Sequence, residues 1–114
     1  MSNGCLFCKI IAGELPSEQV YSDEKVVVFK DINPKAPIHL LIVPREHIIS
    51  LNELTDDDLT VHMMGLLPKL AKEQGLNGGF RTVINTGPAG GQIVFHIHIH
   101  LLGGGNLGDA GFAM

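Results

Sequence analysis

The sequence is short of charge. It holds 8 Lys plus Arg and 12 Asp plus Glu, so 18% of its 114 residues are charged and the net charge is −4, against about 25% charged in ordinary soluble domains. The basic residues are scattered from Lys9 to Arg81. No cluster exists that could release counterions from a phosphate backbone, which argues against a nucleic-acid partner. From residue 82 onward Asp109 is the only formally charged side chain, so any phosphate bound by that region must be met by histidines, amides and backbone N–H groups. No apolar run approaches the about 18 residues that a membrane span needs, and residues 1–4 lack the charged start and apolar stretch of a secretion signal. A cytoplasmic protein with no membrane partner is expected. The only cysteines are Cys5 and Cys8; their spacing in a reducing compartment suits metal or redox chemistry better than a structural disulfide. Repeats, low-complexity stretches and composition breaks are also missing, so residues 1–114 read as one domain, large enough to bury a core without staples.

What is present is apolar. Hydrophobic residues make up 45% of the chain, which excludes disorder, and so few charges on so short a chain point to a surface hidden against a second copy. A short helix is expected over 5–11, ended by Gly13. Residues 20–21 and 25–30 read as a hairpin of β-branched residues. Residues 31–37 hold two prolines and cannot be regular, and 39–43, closed by Pro44, is an apolar strand. The longest helix spans 55–74, with Thr55 as N-cap, Asp56, Asp57 and Asp58 at the positive end of its dipole, and Leu59, Met63, Leu66, Leu67 and Leu70 at helical spacing. Pro68 inside it removes a hydrogen bond and predicts a bend. Strands are expected over 80–85 and 93–102, with a glycine-rich loop at 86–92 between them. The fold class is therefore α+β: about five strands in a mainly antiparallel sheet, with one long and one short helix.

The chemistry is concentrated in the last strand, His96-Ile97-His98-Ile99-His100-Leu101-Leu102. Side chains alternate across a strand, so three imidazoles share one face, open to solvent or ligand, and the apolar residues share the other, packed on the long helix. Neighbouring Cα atoms on one face are about 6.7 Å apart, so the outer pair is too distant to share one metal with the middle histidine, and the three must divide their labour. Cys5, Cys8, His47 and one of the three histidines would complete a Cys₂His₂ zinc tetrahedron; a redox pair or two inert thiols are the alternatives. His62 lies within the long helix and receives no role. The loop 87–92 is not a Walker loop, since no Lys followed by Ser or Thr ends it and it leads into a strand.

Together, His96-Ile-His98-Ile-His100-Leu-Leu, Asn85, Gly90-Gly91-Gln92 and Asp31-Ile32-Asn33-Pro34-x-Ala36-Pro37-x-His39 resemble the histidine-triad (HIT) nucleotide hydrolases and transferases. The resemblance runs over nearly the whole chain and is strongest to the purine nucleoside phosphoramidases. It implies a homodimer in which two sheets of about five strands join into one. It implies that His98 is the nucleophile toward an α-phosphorus, forming a nucleotidyl-histidine that water hydrolyses, with His100 and Asn85 donating to phosphate oxygens and Gly91 offering a backbone N–H. His39 would support the triad. Asp31 would accept from the ribose hydroxyls, and Phe29, Ile32 and Leu41 would form the base pocket; without the resemblance, Asp31 reads as a turn residue and the other three as core. Relatives that keep the cysteine pair imply a structural zinc on Cys5, Cys8, His47 and His96. The implied substrates are purine nucleoside monophosphate conjugates, phosphoramidates and acyl adenylates. The rival readings are a nucleotide-binding regulatory module with incidental hydrolysis and a zinc-dependent phosphohydrolase using two triad histidines. Ile93 departs from the pattern, because many members place a serine there to assist the leaving group.

Overall fold

The computed structural model describes residues 4–105 and Leu107. Helix α1 (Leu6–Ile11) is followed by β1 (Gln19–Ser22), β2 (Val26–Lys30) and β3 (Ile38–Pro44), then by α2 (Asp57–Glu73), β4 (Arg81–Val83) and β5 (Ile99–Gly103). The strands form one antiparallel sheet in the order β1-β2-β3-β5-β4.

The central strands are apolar on both faces because both faces are covered. Val26, Val28, Leu40 and Ile42 join Leu59, Met63, Leu66, Leu67 and Leu70 of α2 in the larger core cluster. Their neighbours Val27, Phe29, Leu41 and Val43 point to the opposite face and pack against Phe7 and Ile10 of α1. The period-2 pattern of β2 and β3 thus assigns each helix its side of the sheet.

Helix α2 begins one residue later than expected. Asp56, not Thr55, is its N-cap, with Oδ1 accepting from the Leu59 N–H at 3.1 Å. Either residue type can cap, and the Asp56 carboxylate adds its charge to the helix dipole. The helix runs through Pro68 without interruption. Pro68 lies on the exposed side, where the carbonyl it leaves unbonded meets water. His62, on α2, is a brace: its Nε2 stands 2.6 Å from Asp23 Oδ2 in the β1–β2 turn, which also accepts from Tyr21 Oη at 2.7 Å. Burial alone would raise the Asp23 carboxyl, but these bonds and the N–H groups of Lys25 and Val26 hold it far below the usual carboxylate range.

Two expected strands are shorter than their patterns. The ladder of β4 covers only Arg81–Val83, and the histidine strand begins at Ile99, not Ile93. Residues 93–98 find their partners elsewhere. The Ile97 N–H donates to Ile48 O at 2.7 Å, Gln92 Nε2 takes Val94 O, and His98 Nδ1 takes His96 O. Across the sheet the ladder of β3 with β5 stops at the Ile42–Ile99 pair, two residues before Pro44, which has no N–H to offer.

Candidate active site and metal centre

Although His96 and His98 precede the strand, the alternation predicted for them holds. Ile97, Ile99 and Leu101 lie in the α2 core, and the three histidines turn to the other face. That face is not the open surface expected. His96 is fully buried and His98 is 8% exposed, because α1 lies over them: the Phe7 ring stands perpendicular to His98 at 4.9 Å and edge-on to His96 at 6.0 Å. Sequence periodicity did not single out Phe7. Its only signal was its place between two candidate ligands, Cys5 and Cys8, on one turn of helix.

The backbone places the proton directly on His96, His98 and His39. His96 Nε2–H donates to Pro44 O at 2.7 Å, which leaves Nδ1 as a lone pair 3.3 Å from Cys5 Sγ and 3.5 Å from Cys8 Sγ. His47 Nδ1 stands 3.2 Å from Cys8 Sγ. All four ligand atoms lie within 4.8 Å of one another, the spacing that a tetrahedral ion with bonds of about 2.0 to 2.3 Å demands. Cys5 and Cys8 are not joined by a disulfide, and Cys5 Sγ also accepts from the Cys8 N–H at 3.3 Å as cap of α1. Two soft thiolates and two imidazoles suit zinc, and four protein ligands leave no open position. The residues fit a structural metal, and they tie α1 to the segment carrying His98.

His98 Nδ1–H donates to the His96 carbonyl oxygen at 2.8 Å, so its unshared pair is on Nε2. Burial lowers its pKa, against the opposing pull of that carbonyl and of Asp31, and the ring is neutral at pH 7. On the other side a chain of bonds runs from the Lys35 N–H to His39 Nδ1 at 3.1 Å and from His39 Nε2 to His100 Nδ1 at 2.9 Å. Because His39 Nδ1 accepts, Nε2 must carry the proton and donate; His100 is then protonated on Nε2. The His100 ring is 5.0 Å from that of His98, and burial, then the neighbouring His98 and His39, push its pKa down to about 4. Asp31, His39 and His100 also come within metal-binding distance, but with one nitrogen of His39 accepting and the other donating, no lone pair is left for an ion.

The expected substrate residues fall at different depths. Asp31 Oδ1 makes the turn-forming bond to the Asn33 N–H at 2.8 Å, while Oδ2 faces His39 Nε2 at 3.5 Å; both of its readings are present at once. Phe29 and Leu41 are buried beneath Phe7, and Ile32 is 86% exposed. Asn85 Nδ2 donates to Gly90 O at 2.9 Å and so closes the loop on itself. Gly91 has φ +88°, and a Cβ there would stand 3.4 Å from Asn85 Nδ2; its N–H donates to Pro88 O at 3.1 Å. Ile93 is 87% exposed. Gln92 is buried, with Nε2 donating to Ile49 O and Val94 O and Oε1 accepting from the Gly87 N–H. It anchors the loop, a role that its place in a glycine motif did not reveal.

The model of the HIT domain family matches residues 12–107. Cys5 and Cys8 precede that stretch. A 14 kDa zinc-binding protein of Zea mays is 46% identical over 103 residues, covering 87% of this chain and 80% of its own. Among solved structures, a HIT family hydrolase from Legionella pneumophila Philadelphia 1 is similar with a TM-score of 0.86 and 47% identity, over 90% of this chain and 95% of that one. A histidine triad nucleotide-binding protein from Candida albicans is similar with a TM-score of 0.80 and 36% identity, over 85% and 72% of the two chains.

Proposed function

This chain belongs to the HIT domain family, and from that premise we propose that it is a nucleotide hydrolase which cleaves purine nucleoside 5′-phosphoramidates and acyl adenylates through a nucleotidyl intermediate on His98. We read the 114 residues as one HIT domain. The observation that carries this reading is the tautomer of His98: a neutral ring, held by Nδ1–H to His96 O, with its lone pair on Nε2 and a second histidine beside it, His100, that can only donate from Nε2. The hydrolase from Legionella and the nucleotide-binding protein from Candida support the class.

In the first step His98 Nε2 bonds to the α-phosphorus, and the bond from phosphorus to the leaving nitrogen or oxygen breaks with its electron pair on the leaving atom. A leaving amine takes a proton from solvent as it departs, balanced by the proton that the attacking water releases in the second step. The resulting imidazolium is stabilised through Nδ1–H on the His96 carbonyl, which strengthens as charge develops. In the second step water attacks phosphorus, the P–N bond returns its pair to Nε2, the water proton is released, and the nucleoside monophosphate leaves. Non-bridging oxygens are met by His100 Nε2–H and by the second hydrogen on Asn85 Nδ2. Gly91 permits the close approach; its N–H reaches phosphate by releasing or sharing Pro88 O. Asp31 Oδ2 accepts from the ribose, and Ile32 flanks the base, with Phe29 and Leu41 as the buried layer beneath Phe7. Bound zinc supplies structural cross-linking of α1, with Cys5, Cys8, His47 and His96 as ligands.

A steady-state assay on adenosine 5′-phosphoramidate, with and without chelator and repeated on His98→Ala, tests the reading. Turnover is expected in the wild type, with binding of nucleoside monophosphate but no turnover in the variant. His98→Ala activity within tenfold of wild type would sink the assignment. Immediate loss of activity on chelation of a still-folded protein would favour the zinc-dependent phosphohydrolase, and binding without turnover the regulatory module.

A further inference from the structure

Two acceptors compete for one proton at His39. Its Nδ1 takes the Lys35 N–H at 3.1 Å, so Nε2 holds the only ring N–H. That hydrogen goes to His100 Nδ1 at 2.9 Å, while Asp31 Oδ2 stands at ion-pair distance, 3.5 Å, from the same nitrogen. The His39 side chain is 1% exposed and that of Asp31 20%, so the carboxylate acts on the ring with little screening. The fold holds the three groups in this relation. His39 pairs with Leu102 across the ladder of β3 with β5, which puts it on the face that carries His100, and the Asp31 N–H donates to His39 O at 3.0 Å. Asp31 Oδ1 is taken by the Asn33 N–H, which leaves Oδ2 to face both the ring and a ribose. Burial lowers the pKa of His39 and of His100, and the Asp31 charge opposes it in both, whereas Lys35 and His98 lower both further.

We propose that Asp31 positions the phosphate donor as well as the sugar: a ribose cis-diol that engages Oδ2 releases the His39 proton wholly to His100, so cleavage is fast only when a ribonucleotide is seated. The proposal rests on the nucleotide reading above and adds to it a control on the rate of the step. With both hydroxyls donating, Oδ2 has its lone pairs satisfied and its charge spread. His39 Nε2–H then bonds His100 Nδ1 undivided, and a chain of donors runs in one direction from the Lys35 N–H through His39 and His100 to a non-bridging phosphate oxygen. Hydrogen bonds in such a chain polarise one another, so His100 Nε2–H donates more strongly as charge grows on that oxygen. Without the hydroxyls the carboxylate draws the His39 proton, and the chain is weakened at its second link.

Adenosine 5′-phosphoramidate and its 2′,3′-dideoxy analogue share the reacting phosphorus and the leaving amine and differ only in the diol. Single-turnover reactions with enzyme in excess separate the cleavage rate at saturation from the half-saturating concentration. On the wild type the dideoxy compound is expected to need more enzyme for saturation and, once saturated, to be cleaved about fivefold more slowly. Asp31→Asn keeps the shape of the side chain and removes the competing charge. It should therefore raise the saturated rate on the dideoxy compound above that of the wild type, to within about twofold of its own rate on the ribose compound. A carboxylate that served binding alone would move only the half-saturating concentration. Equal saturated rates for the two substrates on the wild type would thus overturn the coupling and leave the nucleotide reading standing, whether or not the variant folds. A folded Asp31→Asn enzyme in which both saturated rates fall would overturn it too. Absence of turnover of both substrates by the wild type would overturn the nucleotide reading and the coupling with it.

Discussion

At the scale of single residues, the site is defined by where four ring protons sit, three placed by main-chain groups and the fourth through a neighbouring imidazole. Pro44 O fixes His96, His96 O fixes His98, and the Lys35 N–H fixes His39 and, through it, His100. The identities of these histidines were legible in the sequence, because alternation places His96, His98 and His100 on one face whether or not the backbone is paired as a strand. Their partners were not: the acceptors are carbonyls of Pro44 and His96, which no residue-type pattern marks. Two outcomes follow for His100. Replacing it with alanine removes a phosphate donor and should lower kcat/KM by about 2–4 kcal/mol in transition-state terms, roughly 30- to 1,000-fold, read from steady-state kinetics. The second outcome concerns pH. His100 is held near 4 when folded against about 6.5 in a free chain, so the unfolded chain binds the extra proton. Stability is therefore complete above about pH 6.5 and declines as pH falls toward 4. His39, also lowered by burial, declines in the same direction, since protonating either Nδ1 breaks the line from Lys35 to His100. Thermal melts across pH 4–7 should show this slope, and His100→Gln should flatten it.

At the scale of elements, α1 is the part whose role the sequence concealed. It has six residues, too few to hold as a helix by itself, yet it covers His98. Three things hold it: Phe7 and Ile10 in the core of one sheet face, the cap of Cys5 on the Cys8 N–H, and the Cys5, Cys8, His47 and His96 cluster. The cysteine pair marked a possible metal site, but the residues alone left open which of the three strand histidines would join it, and His96 came only with the family resemblance; the fold brings its Nδ1 close to both thiols. The consequence, that the pair drapes an aromatic ring over the nucleophile, needed the fold. Protein purified without added metal should carry one zinc per chain. At a free concentration 100 times its Kd, a bound ion contributes about 2.7 kcal/mol, which in a domain of this size corresponds to a fall of about 10–20 °C in Tm on chelation. Metal analysis paired with melting curves decides it. A metal-free protein of unchanged Tm, with both thiols freely titratable, contradicts the site.

For the whole molecule, the sheet and its two helices follow from patterns that reinforce each other: two apolar strands buried on both faces, one amphipathic helix and turn residues between them. Strand ends were less legible, since β4 and the segment before β5 are set by loop contacts and not by propensity. The third dimension ends in an open edge. Among the described residues β4 pairs only with β5, and α2 holds Val61 and Met64, three residues apart, 72% and 51% exposed. An unpaired edge and an apolar helix stripe are what a joined-sheet homodimer would cover, hiding more than about 2,000 Å² in total. Sedimentation should give twice the chain mass of 12.3 kDa; a species of one chain mass at micromolar concentration excludes that assembly. Among the same residues no helix is long and apolar enough to cross a membrane.

The proposed chemistry turns on a covalent bond between phosphorus and His98 Nε2. The direct measurement is to mix the protein with adenosine 5′-phosphoramidate labelled in the nucleoside, quench within one turnover in alkali, where a phosphorus–imidazole bond survives, and map the label by peptide mass spectrometry. One nucleotidyl group on the peptide carrying His96, His98 and His100, localised to His98 and absent from His98→Ala, is the predicted result. Product formation with no labelled peptide, or with the label on any other residue, would contradict it.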